Sequence, residues 1–318
     1  MPVVDCSEYK PPLLFRNPHF ATIYPAFFRK QEKVKFTRQR IQTNDADFLD
    51  VDLLLADGNE HAVFLFHGLE GSTDSQYIQA AARQLHAIDY DIIATNFRGC
   101  SGEPNLKANT YHSGFTDDLA FVLELFSSKY SSTSIVAYSL GGNVTLKYAG
   151  ESPSKVHPKL RKIIAVSVPV HLANGAKQLE KASNYLYTQN FLKTLREKIK
   201  EKYKRFPSQI DIDKLAKVKS IKDFDDYFTG PMNGFEDAED YYSKSMSLQF
   251  LPDIKIESHL ISSLDDPFLS KSCYPFAEAK KSKNIFLHPS NYGGHVGFYQ
   301  KGEEYWIDSK LLDILGEF

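Results

Sequence analysis

Cysteine is scarce in this 318-residue chain: Cys6, Cys100 and Cys273 are far apart and odd in number, which gives no basis for a disulfide framework or a cysteine-rich metal site. A reducing, cytoplasmic setting is the simpler expectation. No apolar run approaches the roughly 20 residues of a membrane span. The opening stretch, Met1-Pro2-Val3-Val4-Asp5-Cys6-Ser7-Glu8, lacks a basic region followed by an apolar one, so no signal peptide is expected there. Long basic blocks are missing and the formal net charge is −2, so nucleic-acid binding has no electrostatic support. The ten histidines show neither H-x-x-x-H nor H-E-x-x-H spacing, and no metal or other cofactor is assigned.

What is present is ordinary in bulk. Hydrophobic content of 42% and charged content of 25% suit a globular protein, and 318 residues can bury a full core as one α/β domain carrying an insertion. The 18 Tyr and 23 Phe suit large cores and apolar pockets without being specific. Residues 9–31 combine spaced prolines with apolar side chains, which predicts a short helix over about 18–29. This N-terminal arm is expected to dock on the main domain; peripheral membrane contact is its second reading.

Further along, 34–42 and 48–55 alternate like strands around the turn Asn44-Asp45-Ala46-Asp47, an antiparallel edge hairpin. The rhythm then changes. The continuous apolar run at 61–66 reads as a strand buried on both faces, and 91–97, 133–138 and 162–168 read as the strands that follow it. Helical patterns at 75–88, 114–129 and 143–150 fall between them. That alternation predicts a mostly parallel central sheet with helices on both faces. Residues 170–250 interrupt it with helical spacing and dense charge, as expected of a helical lid inserted over the strand ends. The charge run at 196–205 reads as a solvated helix face. Alternation resumes with strands at 257–264 and 284–288 and helices at 272–280 and 303–315.

One stretch points to chemistry. The run Thr133-Ser134-Ile135-Val136-Ala137-Tyr138 leads into Ser139-Leu140-Gly141-Gly142-Asn143. A serine on a sharp strand-to-helix turn stands clear of the sheet, and small residues two before and two after it allow the turn. Free amides of the first helical turn face its side chain. A nucleophilic serine needs a base and a residue to orient that base, both from loops at the carboxyl ends of later strands. The strand at 257–264 ends in Asp265-Asp266-Pro267, and the strand at 284–288 is followed by Gly293-Gly294-His295. His295 is therefore the candidate base. Asp265 and Asp266 compete as its partner; Asp266, directly before Pro267, is chosen, with the other left to cap the loop. The amides of Leu69, in His67-Gly68-Leu69-Glu70-Gly71, and of Leu140 are the candidate oxyanion donors. His67 lies too far upstream of the elbow for the base and is expected to shape its loop.

Seven segments in order carry a resemblance. They are Arg16-Asn17-Pro18-His19-Phe20-Ala21-Thr22-Ile23-Tyr24-Pro25, His67-Gly68-Leu69-Glu70-Gly71-Ser72, the stretch from Asn96 through Arg98-Gly99-Cys100 to Asn105, Tyr111-His112-Ser113-Gly114, Ser139-Leu140-Gly141-Gly142-Asn143, Asp265-Asp266-Pro267-Phe268 and Gly293-Gly294-His295-Val296-Gly297-Phe298. From about residue 13 to its end the chain resembles the YheT-like branch of the α/β-hydrolases. The resemblance implies an α/β-hydrolase fold, a Ser139, Asp266, His295 triad, esterase-like activity on small-molecule acyl esters, a place in lipid metabolism, and no metal or organic cofactor. Ala137 departs from the glycine of many relatives. Acyl transfer to an alcohol with the same triad, and non-catalytic binding on a hydrolase scaffold, are the alternatives.

Overall fold

Alternate residues of the third strand settle the architecture. Phe64 and Phe66 enter one apolar cluster while Val63 and Leu65 enter another, and all four are fully buried. A strand covered on both faces must lie inside a layered sheet, and each such side chain contributes about 1.5–3 kcal/mol. The fifth strand divides the same way, with Ile135 and Ala137 on one side and Val136 and Tyr138 on the other.

The computed structural model describes residues 2–29, 32–302 and 305–316. Eight strands form one sheet: β1 (Thr37–Gln42), β2 (Phe48–Leu54), β3 (His61–Phe66), β4 (Tyr90–Asn96), β5 (Ser132–Tyr138), β6 (Leu160–Val166), β7 (Glu257–Ser263) and β8 (Ile285–Ser290). Their spatial order is β1-β2-β4-β3-β5-β6-β7-β8. β2 is antiparallel to β1 and β4, and every other neighbouring pair is parallel. The order reverses at β3, whose neighbours are β4 and β5, so a crevice opens beyond the carboxyl ends of β3 and β5. The residues after β3, β5, β7 and β8 all emerge at that rim.

Helices α1 (Pro18–Phe28), α2 (Gln76–His86) and α3 (Asp117–Ser127) fall within the expected stretches, and α4 (Leu140–Glu151), α5 (Leu172–Leu179) and α6 (Tyr185–Arg205) follow them. α1 starts where Asn17 Oδ1 accepts from the amides of His19 and Phe20, both at 3.0 Å, with Pro18 in the first turn. The expected edge hairpin is present, yet β2 is buried on both faces. Asp50 and Asp52 lie under Arg40 and Arg38 of β1, each arginine gripping its carboxylate with two bonds of 2.7–2.8 Å. Among the described residues between β6 and β7 there is no strand; α5, α6, Ala238–Ser245 and shorter turns fill that length.

Several expectations need correction. The elbow helix begins at Leu140, directly after the serine, not near Asn143. The helix expected at 272–280 is split into a short turn Lys271–Cys273 and a helix Phe276–Lys281. Pro275 forces this, because it holds Tyr274 in extended backbone. β8 runs two residues past 288, through Pro289, which an edge strand tolerates. The charge run of α6 is only half solvated: Lys202 is buried and Lys198 half-buried, since both fall on the inward stripe that carries Leu195. The last helix spans Trp306–Gly316. Lys30 and Gln31 of the arm, and Glu303 and Glu304 of the expected last helix, lie outside the described residues.

The rim is braced by one buried cation. Arg98, 3% exposed, binds Asp118 of α3 at 2.7–2.8 Å, and Asp45 and Asp47 of the β1–β2 turn at 2.7 and 3.2 Å. Replacing it leaves the buried carboxylates of Asp47 and Asp118 without their counter-ion. Arg98→Leu is expected to lower unfolding free energy in urea by about 3–5 kcal/mol, and a change under about 1 kcal/mol would contradict this account.

Candidate active site

Ser139 sits between β5 and α4 with φ 51° and ψ −117°, a strained conformation for a residue with a side chain. Its own amide donates to Val166 O at 2.8 Å, and the Asn143 amide donates back to Ser139 O at 3.1 Å, which fixes the turn. A Cβ on Gly141 would come within 2.5 Å of His67 O, so only glycine lets the new helix approach the end of β3 this closely. Ala137 is fully buried in β5, level with Phe66 and Ala165 of the neighbouring strands; the core accommodates its methyl group.

His295 and Asp266 arrive from the ends of β8 and β7. His295 Nδ1 lies 2.9 Å from Asp266 Oδ2, with Asp266 fully buried and His295 11% exposed at their side chains. The other Asp266 oxygen accepts from the Phe268 amide at 2.8 Å. A carboxylate can only accept, so Nδ1 carries the proton and Nε2 is left with its lone pair. Asp265 turns elsewhere: its Oδ1 accepts from the Gly294 amide at 3.0 Å, and burial pushes its carboxyl pKa up. It ties down the loop that presents the imidazole.

The two candidate amides are free. Among the described residues neither the Leu69 nor the Leu140 N–H donates to any acceptor, although the amides on both sides of Leu69 and the one before Leu140 are occupied. The Gly68 amide donates to Tyr77 Oη at 3.0 Å and the Glu70 amide to Tyr111 Oη at 2.8 Å. His67 shapes this loop as expected. Its Nδ1 donates to Gly68 O at 2.8 Å and its Nε2 accepts from the Phe97 amide at 3.1 Å. Burial pushes its pKa down to about 4, which keeps the ring neutral.

Ser139, Leu69, Leu140 and His295 all line one cavity of about 660 Å³, with Asp266 behind the imidazole. Leu172, Ala176, Leu179 and Phe191 of 170–250 contribute apolar walls. Phe268 packs on the His295 ring at 4.4 Å between centroids, and Tyr187 packs on Phe268 at 4.8 Å.

Sequence reasoning missed what holds these groups. Asn143 is fully buried and bonds Ser113 O, Ser245 O and the Ser247 amide, each at 2.9 Å, joining the elbow helix to the end of the inserted segment. Ser263 Oγ donates to Gly294 O at 2.7 Å and Ser167 Oγ accepts from the Val296 amide at 3.1 Å. The arm enters the site too. Thr22 of α1 donates to Pro18 O at 2.7 Å and accepts from the His295 amide at 2.9 Å. Gly294, at φ 62°, has Pro18 O and Thr22 N each 2.8 Å from where a Cβ would stand. No sequence signal linked Thr22 to the histidine; its place in the family-like segment 16–25 was the nearest hint.

Thr22→Val keeps the shape of this contact but removes the acceptor, leaving the His295 amide unpaired. The variant is expected to hydrolyse p-nitrophenyl butyrate with kcat about tenfold lower, with Thr22→Ser restoring the parent value. Equal kcat for the valine variant would detach the arm from the site.

Comparison with known proteins agrees with the architecture. The model of the alpha/beta hydrolase fold matches residues 61–301. YheT of Escherichia coli (strain K12) is 31% identical over 97% of this chain and 93% of its own. A protein of Bos taurus named Phospholipase ABHD3 is 30% identical over 94% of this chain and 75% of its own. The solved structure of the Pyrococcus furiosus esterase Pf2001 superposes with TM-score 0.58 at 16% identity, covering 89% of this chain and 90% of the other, a likeness of fold alone. With its sheet order, its elbow and these similarities together, the chain belongs to the α/β-hydrolases, in the branch that includes YheT.

Proposed function

We propose that this protein is a serine hydrolase of carboxylic esters with apolar acyl chains, working through a covalent acyl-enzyme. The observation that carries this reading is the imidazole of His295, oriented by buried Asp266 and facing a cavity shared with Ser139. Ser139 Oγ attacks the ester carbonyl carbon and passes its proton to His295 Nε2. The developing oxyanion takes the unpaired amides of Leu69 and Leu140. Asp266 steadies the imidazolium, which then protonates the departing alcohol. A water activated by His295 attacks the acyl-enzyme and releases the acid. Acyl transfer would substitute an alcohol for that water, and product analysis with added alcohol separates the two.

The apolar walls from 170–250 support its role as a lid and favour acyl chains over polar acids. The name of the bovine relative, a phospholipase, supports ester cleavage in lipid metabolism. The three cysteines stay free and buried, in keeping with the cytoplasmic setting expected from the sequence. No helix among the described residues is long and apolar enough to cross a membrane. Leu13, Phe27 and Phe28 of the arm and Leu186 of α6 are 61–81% exposed, which supports peripheral contact with a lipid surface.

With p-nitrophenyl butyrate, Ser139→Ala and Asp266→Asn are each expected to lose about ten-thousand-fold or more in kcat, and Asp265→Asn less than about tenfold. Parent-like turnover by Ser139→Ala sinks the reading, and the reverse ranking of the two aspartates reassigns the orienting role. In vesicle flotation, Phe27→Asp with Phe28→Asp is expected to reduce the bound fraction severalfold. Unchanged flotation, or no flotation by the parent, removes the membrane contact.

A further inference from the structure

The side chains that α6 turns into the cavity change character along the helix. Phe191 packs on Phe268 at 6.0 Å between ring centroids, on the side of the imidazole. Two turns later Lys198 Nζ donates to Glu70 Oε1 at 2.8 Å, and a further turn on Lys202 Nζ donates to Asn105 Oδ1 at 2.7 Å. At 1.5 Å per residue, Phe191 and Lys202 stand about 16 Å apart along the axis. The cavity therefore has an aromatic end and a charged end, and the charged end begins one residue past Leu69.

Lys202 is saturated there, bonded also to Lys107 O at 2.7 Å and Asn109 O at 3.0 Å. The Glu70–Lys198 pair is not. Glu70 Oε1 accepts from both Lys198 Nζ and Tyr111 Oη, each at 2.8 Å, while Oε2 has no hydrogen-bond partner among the described residues. Lys198 Nζ spends a second proton on Cys100 Sγ at 3.2 Å, which leaves one of its three. Burial pushes the Cys100 thiol up to about 11, so it stays neutral and adds no charge. Both side chains line the cavity, with exposures of 5% for Glu70 and 30% for Lys198.

One free acceptor beside one free donor, with charges that cancel, selects a particular chemistry. A phosphate or carboxylate would meet the Glu70 carboxylate as well as the lysine, and a bare hydrocarbon would strand both groups. A hydroxyl group donates and accepts at once and satisfies both. We infer that the Glu70–Lys198 pair is a subsite for a hydroxyl group on the ester, so that preferred substrates carry a neutral hydroxyl-bearing segment. This rests on the ester-hydrolase reading for the nature of the substrate. The hydroxyl can belong to the alcohol part or to the acyl part.

The test measures binding in Ser139→Ala protein, where turnover does not intrude, by isothermal titration with matched pairs. Glycerol 1-monooctanoate against propyl octanoate places hydroxyls on the alcohol side; ethyl 3-hydroxyoctanoate against ethyl octanoate places one on the acyl side. In at least one pair the hydroxylated ester is expected to bind about tenfold or more tighter, and that pair identifies the source. Adding Lys198→Met, or separately Glu70→Gln, is expected to bring the ratio to about one. A ratio near one in both pairs overturns the inference. So does a ratio that survives both substitutions, which would leave the pair as a strut between α6 and the Leu69 loop. Turnover of p-nitrophenyl octanoate by the parent protein reports separately on the hydrolase reading, so either idea can fail while the other stands.

Discussion

A fully buried carboxylate with two polar partners is the constraint on which the site depends. Asp266 bonds the Phe268 amide and the His295 ring, and no water-exposed position relieves it. Burying an ionised carboxylate is costly unless it is paired and hydrogen-bonded. Two loops from neighbouring strands are consequently held together by one group that needs both of them. The same bond fixes which imidazole nitrogen keeps its lone pair, so structural necessity and chemical readiness coincide.

The histidine loop is also secured on its outer side. Asp265, Ser263 and Ser167 bond it from the sheet, while Thr22 bonds it from the N-terminal arm. The elbow is secured in turn by Gly141 against His67 O and by Asn143 against the inserted segment. Ser139 and His295 are thus each braced by an element other than the strand that carries them. Preorganisation of this kind would leave little reorientation for the proposed reaction.

Much of the architecture was legible in the sequence because strands buried on both faces of a parallel sheet are apolar in their middles, as 62–66 and 135–138 are. The positions of Ser139, Asp266 and His295 at strand ends were legible for the same reason: the sheet order dictates where loops emerge. Local rules failed where tertiary context decided the outcome. Two adjacent aspartates look alike until the backbone turns one toward the imidazole and the other toward the Gly294 amide. Lys198 and Lys202 read as solvated until α6 is laid on the rim, where their stripe coincides with Leu195. Thr22 is 273 residues from the histidine it supports, a distance no periodicity spans. Pro275 was visible, and its effect on the residue before it was the signal available for the broken helix.

The central claim is that the elbow serine is a poised nucleophile. Intact-mass analysis of the folded protein after exposure to a fluorophosphonate, followed by peptide mapping, tests it most directly. The account predicts one adduct per chain, located on Ser139 and absent after unfolding before exposure. Folded protein that takes up no adduct, or takes it up on another residue, contradicts it.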